Sequence, residues 1–349
     1  MRMRGALAGL LLVATLAGCG AKAGNTEANP ETSASVEAGA DAGSGDGAAA
    51  LAAAGAAPSG SAPASGPAAG SKSAAPPAAK APTQTFAVGV SQFTFSRAGR
   101  TLRTLVFYPA AGAAGGSPKK DAGVAAGRFP LVLWSHGLHG SPEGYQGVTA
   151  KIAAAGFVVA APAYPFTNAA ANPFNQNDMG NQPADASAVI TEVLKLDTKA
   201  GAALAGHIET GRVAAGGHSA GGYTTAGMLS GSGRDARLKG GIIVSGGGMG
   251  GKFSGAATPV LFIHGDADGT VPYSSGRGLY DGCGWPKAFL TLLGGDHGGG
   301  LFGSAPANQA VSKTMLDFLR YTLYSDGAAK GRLRADATVS GAAKYDGTL

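Results

Sequence analysis

The sequence predicts an α/β fold: a doubly wound, mostly parallel sheet with helices on both faces. Three observations carry this expectation. Six short, almost uniformly apolar runs recur between Phe129 and Leu293, and strands this apolar are buried on both faces, as in a parallel sheet covered by helices. The stretches between them place apolar residues at helical spacing. Strand and helix patterns alternate along the chain, as βαβ units do.

In chain order, Arg2 and Arg4 precede an apolar run from Ala6 to Ala17, which closes on Leu16-Ala17-Gly18-Cys19. A charged start, a short apolar centre and small residues at the end describe an export signal over residues 1–18. The run is too short to cross a bilayer as a mature helix. Its last four residues resemble the bacterial lipobox. That resemblance implies that Cys19 becomes a lipid-modified N-terminus, which would hold the protein in the cell envelope outside the cytoplasm; the alternative is a secreted protein with an incidental cysteine. Residues 19–84 are built almost wholly from Ala, Gly, Ser and Pro. They cannot bury enough apolar surface to offset the entropy of ordering, and read as a tether.

A catalytic domain is expected over residues 85–325 and a C-terminal tail over 326–349. Phe93-Thr94-Phe95 and Leu102 to Tyr108, joined around Ala98-Gly99-Arg100, read as a hairpin. The strand runs are Phe129–Trp134, Phe157–Ala161, Arg212–Ala215, Gly241–Val244, Pro259–Ile263 and Ala288–Leu293. Helices are expected over Ser141–Ala155, capped by Ser141 with Pro142 first, then over Ala184–Leu196, from Ser219 to Leu229, and over Asn308–Tyr324. The tail, rich in Ala and Gly, is expected to drape over the domain or fray.

The net charge of +6 is modest and scattered. No basic stripe interleaves with aromatic residues, which argues against nucleic-acid binding. With Cys19 lipidated, Cys283 is the only other cysteine, so no intrachain disulfide can form. Cys283 lies in a Gly-rich turn and reads as a loop residue, not a catalytic thiol.

The pentapeptide Gly217-His218-Ser219-Ala220-Gly221 follows a strand and opens a helix, the setting of a strained turn that exposes a nucleophilic serine. In a chain with 60 glycines such a pentapeptide carries little weight alone; its partners strengthen it. Asp268 lies just beyond a buried strand in Asp268-Gly269-Thr270-Val271-Pro272, where a carboxylate can orient a histidine. Asp266 is the local rival. The Asp-x-x-Val-Pro spacing favours Asp268 and leaves Asp266 to bond backbone amides in the turn. His297, between Gly294-Gly295-Asp296 and Gly298-Gly299, follows the last strand. Of six histidines it alone completes the chain order Ser, Asp, His. His218 is expected to point away from the nucleophile, and His264 to be a satisfied structural residue. The loop Ser135-His136-Gly137-Leu138-His139-Gly140 and the helix start supply the candidate oxyanion donors, the amides of Leu138 and Ala220. Phe166 and Phe174, in a long Asn-rich loop, are candidate pocket residues, with ordinary loop packing as the alternative; Trp285 is a further candidate, although a core position suits it better.

Together these residues resemble the α/β-hydrolase superfamily over about 240 residues. The nearest likeness is to serine esterases of the branch holding cutinase-like polyesterases, chlorophyllases and platelet-activating-factor acetylhydrolases. It rests on the His136-Gly137 turn, Gly217 to Gly222, Asp268-x-x-Val-Pro, late His297 and Gln182-Pro183-Ala184-Asp185. The resemblance implies carboxylic ester hydrolysis through an acyl-enzyme on Ser219, with no cofactor and no metal, on a small-molecule or polymeric ester. The alternatives are an amidase or peptidase with the same triad, and a non-catalytic ligand-binding surface lipoprotein. Two departures stand out: Leu138 sits where polyesterases carry an aromatic residue, and their C-terminal disulfide is missing. A monomer attached to the membrane by its lipid alone is expected.

Overall fold

The computed structural model describes residues 80–303 and 305–349. The expected export signal, Cys19 and nearly all of the expected tether lie outside the described residues. Ten strands form one sheet in the order β10-β9-β8-β7-β6-β4-β5-β2-β1-β3. Its parallel centre is β5 (Val158–Ala163), β4 (Phe129–Ser135), β6 (Ile208–His218), β7 (Leu238–Val244), β8 (Val260–Gly265) and β9 (Lys287–Leu292). Every residue of β4, β5 and β8 is buried, as strands covered on both faces require.

Two layers of helices do the covering. On one face α2 (Gln182–Lys195), α3 (Ala220–Met228) and α4 (Tyr273–Asp281) pack through Val189, Val193, Met228 and Tyr280. On the other, α1 (Gln146–Ala154), α5 (Pro306–Tyr324) and α6 (Gly327–Asp336) contribute Ile152, Met315, Phe318 and Leu333. This is the doubly wound α/β-hydrolase fold. The hairpin β1 (Ala87–Arg97) and β2 (Arg100–Ala110) adds antiparallel strands beside β5, with β3 (Lys119–Lys120) at the outer edge. Its turn uses left-handed φ angles of 48° at Ala98 and 76° at Gly99, which match the twist of the paired strands.

The ends of the domain differ from the sequence reading. Residues 326–349 do not drape or fray: α6 packs Leu333 into the core and β10 (Ala343–Gly347) pairs antiparallel with β9 from Ala343↔Leu292 to Gly347↔Ala288. Helix α1 starts at Gln146 rather than Ser141. The Ser141 hydroxyl instead accepts from Gly144 N–H at 3.1 Å in a separate turn. Helix α4, which the sequence reading left out, packs Gly276 so closely under His264 that a Cβ there would lie 2.4 Å from Nδ1. At the N-terminal ends of the parallel strands the chain enters: Phe86 N–H donates to Ala154 O at 2.8 Å, and the Phe86 ring meets Phe129 edge-on.

Candidate active site

The nucleophile candidate sits where β6 turns into α3. Ser219 has φ 56° and ψ −122°, a left-handed conformation that costs a non-glycine residue free energy and lifts its side chain out of the strand. Small neighbours make the turn feasible. A Cβ at Gly217 would lie 2.4 Å from Gly221 O, and one at Gly221 would lie 2.1 Å from Ser135 O. The glycines of the pentapeptide are therefore a steric requirement of packing α3 against the end of β4.

Two further loops converge at the same end of the sheet. Gly265, ending β8, and Gly295, after β9, approach so closely that a Cβ on Gly265 would lie 2.1 Å from Gly295 O. Asp266 fastens the pair, accepting from Gly294 N–H at 2.6 Å, the backbone role its turn position suggested. Asp268 is left to face His297. His297 Nδ1 lies 2.8 Å from Asp268 Oδ2, and His297 Nε2 lies 2.9 Å from Ser219 Oγ. The other Asp268 oxygen accepts from Thr270 and Val271 N–H at 2.8 and 2.9 Å. Burial alone would raise the Asp268 carboxyl, but the hydrogen bonds from His297 and the two amides outweigh it and hold it below its ordinary value. His264, buried below, places Nε2 3.0 Å from Val271 O and 3.2 Å from Asp268 Oδ2. It is a satisfied structural histidine, as its position at a strand end implied.

The loop after β4 lies against Ser219: a Cβ on Gly137 would fall 3.1 Å from the Ser219 Cβ. Gly137 O receives two bonds, from Gly140 N–H at 2.9 Å and from His136 Nδ1 at 2.7 Å. His136 Nε2 in turn accepts from Tyr164 N–H at 3.1 Å, which fixes the proton on Nδ1. Because N–H and C=O of one planar trans peptide point in opposite directions, anchoring Gly137 O also aims the Leu138 N–H. The Ala220 amide opens α3, where a helix leaves its first N–H groups without an intrahelical acceptor.

The pocket candidates separate. Phe174 stacks on His139 of this loop, ring centroids 3.8 Å apart, and the Phe174 loop is zipped to it by His139 N–H to Thr167 O and Ala169 N–H to Gly140 O. Phe166 carries the Arg100 guanidinium 5.4 Å above its ring at the hairpin turn. Trp285 is not a pocket residue but takes the alternative position, packed against the core. It precedes β9 and stacks on Phe253 under Arg234, at the end of the parallel strands opposite to Ser219.

Sequence reasoning missed two aromatic residues, Tyr145 and Phe302. Tyr145 Oη lies 2.7 Å from His218 Nδ1, and Phe302, five positions beyond His297, meets both Tyr145 and His218 edge-on. Neither has a local sequence signature, because both act through residues distant in the chain. His218 turns away from the Ser219 hydroxyl, as expected, toward Tyr145 and the His297 carbonyl. Cys283 is buried, and burial pushes its thiol up. Among the described residues no group of three His, Cys, Asp or Glu is arranged to hold a metal, and no helix is long and apolar enough to cross a membrane.

The sheet and its helices have the α/β-hydrolase fold, and the loops at the C-terminal ends of its strands bring Ser219, His297 and Asp268 together. Residues 72–200 match the family described as platelet-activating factor acetylhydrolase, isoform II, within the branch that the motifs resemble. The matched segment includes the loop after β4 and Tyr145 but ends before β6, so Ser219, Asp268 and His297 rest on the geometry above. No curated protein matches the chain.

Proposed function

We propose that this protein hydrolyses carboxylic esters through an acyl-enzyme on Ser219. The observation that carries this reading is the hydrogen-bonded chain from Ser219 Oγ through His297 to Asp268, at 2.9 and 2.8 Å. His297 Nε2 takes the hydroxyl proton as Oγ attacks the ester carbonyl. Asp268 holds the imidazole by Nδ1–H and stabilises the imidazolium. The amides of Leu138 and Ala220 receive the oxyanion. The alcohol leaves with the proton from His297, and water, deprotonated by the same ring, releases the acid. The matching family is named for removing an acetyl group, so short acyl esters are the first substrates to try. Labelling by a fluorophosphonate probe and hydrolysis of p-nitrophenyl acetate, beside the anilide, test this. The wild type should label and cleave the ester, and Ser219→Ala should do neither. An unlabelled wild type, or equal labelling of the variant, overturns the reading; faster anilide cleavage makes it an amidase.

We further propose that Cys19 carries a lipid that holds the protein at the outside of a membrane. The lipobox-like run and the tether composition support this. In the native host, Cys19→Ala should move the protein from the membrane fraction to the soluble one; unchanged membrane association would reject the anchor.

A further inference from the structure

Two loops that must meet at Ser219, the one after β4 and the one carrying His297, come from opposite halves of the chain. Two buried side chains join them. The Gly137 N–H donates to Tyr145 Oη at 3.1 Å, Tyr145 Oη lies 2.7 Å from His218 Nδ1, and His218 Nε2 is bonded to the His297 carbonyl. A carbonyl only accepts, so His218 carries its proton on Nε2. Burial keeps the ring neutral by lowering its pKa to about 4, so Nδ1 is bare and accepts from the Tyr145 hydroxyl. The tyrosine oxygen then has a lone pair for the Gly137 N–H. Each donor has one acceptor, and the path runs unbroken from Gly137 to His297.

The placement is tight on both sides. A Cβ on Gly137 would lie 3.1 Å from Ser219 Cβ, 3.2 Å from Tyr145 Oη and 3.5 Å from His218 Nδ1. Tyr145 and His218 are each only 6 % exposed, and Phe302 lies edge-on against both rings. Neither side chain bonds to Ser219 Oγ, so neither is used in the proposed chemistry.

We propose that Tyr145 and His218 are a positioning pair, which sets the Leu138 amide and the His297 ring at their distances from Ser219. This rests on the acyl-enzyme reading above. A misaimed oxyanion donor weakens contacts that form fully only in the transition state, so its loss lowers kcat and leaves KM little changed.

The test uses the full chain, with fluorophosphonate labelling rates and p-nitrophenyl acetate kinetics for Tyr145→Phe, His218→Gln and the double variant. Tyr145→Phe removes one oxygen and keeps the ring, so it decides alone if His218→Gln does not fold. Each single variant is expected to lose roughly 10–100-fold in kcat and in labelling rate, with KM within about twofold. The double variant should be no slower than the slower single one, since either change cuts the same path. Single variants within about twofold of wild type in kcat, losses confined to KM, or losses that multiply in the double variant would each overturn the pairing. A labelled wild type with equally fast variants removes the pairing alone. An unlabelled wild type removes the acyl-enzyme reading, and the pairing falls with it.

Discussion

His136 and His218 are buried imidazoles whose hydrogen bonds require the neutral form, and this makes the folded state sensitive to acid. Burial lowers both from an ordinary value near 6.5 to about 4. Between those values the unfolded chain binds more protons than the folded one, so stability is intact above pH 6.5 and drains away as the pH falls toward 4. Each ring accounts for on the order of 3 kcal/mol across that window. Urea unfolding is therefore expected to show a midpoint that drops between pH 6.5 and 5, before most carboxylates titrate, and His218→Gln should drop less steeply. A flat midpoint across that interval would mean that both rings take up protons inside the fold. The single-residue features readable from sequence were those that local sterics dictate. Ser219 is legible because its turn forbids side chains at Gly217 and Gly221 and because Asp268 and His297 follow it in the expected order. Tyr145 is not, because its partner His218 stands 73 positions away.

At the level of elements, the long loop between β5 and α2 is held by charge. Arg100 donates to Asp178 at 2.8 and 2.6 Å and to Asp185 at 2.7 Å, while Arg97 reaches Asp185 at 2.7 Å. Asp185, at the start of α2, is fully buried, so it ties the hairpin turn to the loop that reaches the candidate site. Gln182 adds a neutral tie, donating from Nε2 to Thr167 Oγ1 at 2.7 Å and accepting from Thr224 of α3. Asp185→Asn leaves Arg97 facing a neutral amide while Arg100 keeps Asp178, and should cost about 1–3 kcal/mol in urea unfolding; a loss under about 0.5 kcal/mol would mean that solvent reaches the cluster. Element identity was legible wherever burial is two-sided, as in β4 and β8. It was hidden in α4, whose Gly276 and Gly278 dilute the apolar stripe, and in β10, which buries Ala343 alone of its five residues.

For the whole molecule, the sequence revealed the layering, because alternation of buried strands and half-buried helices leaves few ways to cover a sheet. It did not reveal which end of the sheet each loop would reach, so Trp285 could stand among the pocket candidates although it packs at the far end. The two ends are unlike. Ser219, Asp268 and His297 crown the C-terminal ends of the strands, whereas the chain arrives past Pro82 and Phe86 at the other, with Pro82 pressed on Gly156 and its carbonyl 3.3 Å from Arg320 Nη2. A strand of six residues is about 20 Å long, so the point of arrival and Ser219 sit at opposite ends of the sheet. Any leash on residue 80 therefore pulls from the rear. A fusion or surface linkage made ahead of residue 80 is thus expected to leave the approach to Ser219 open.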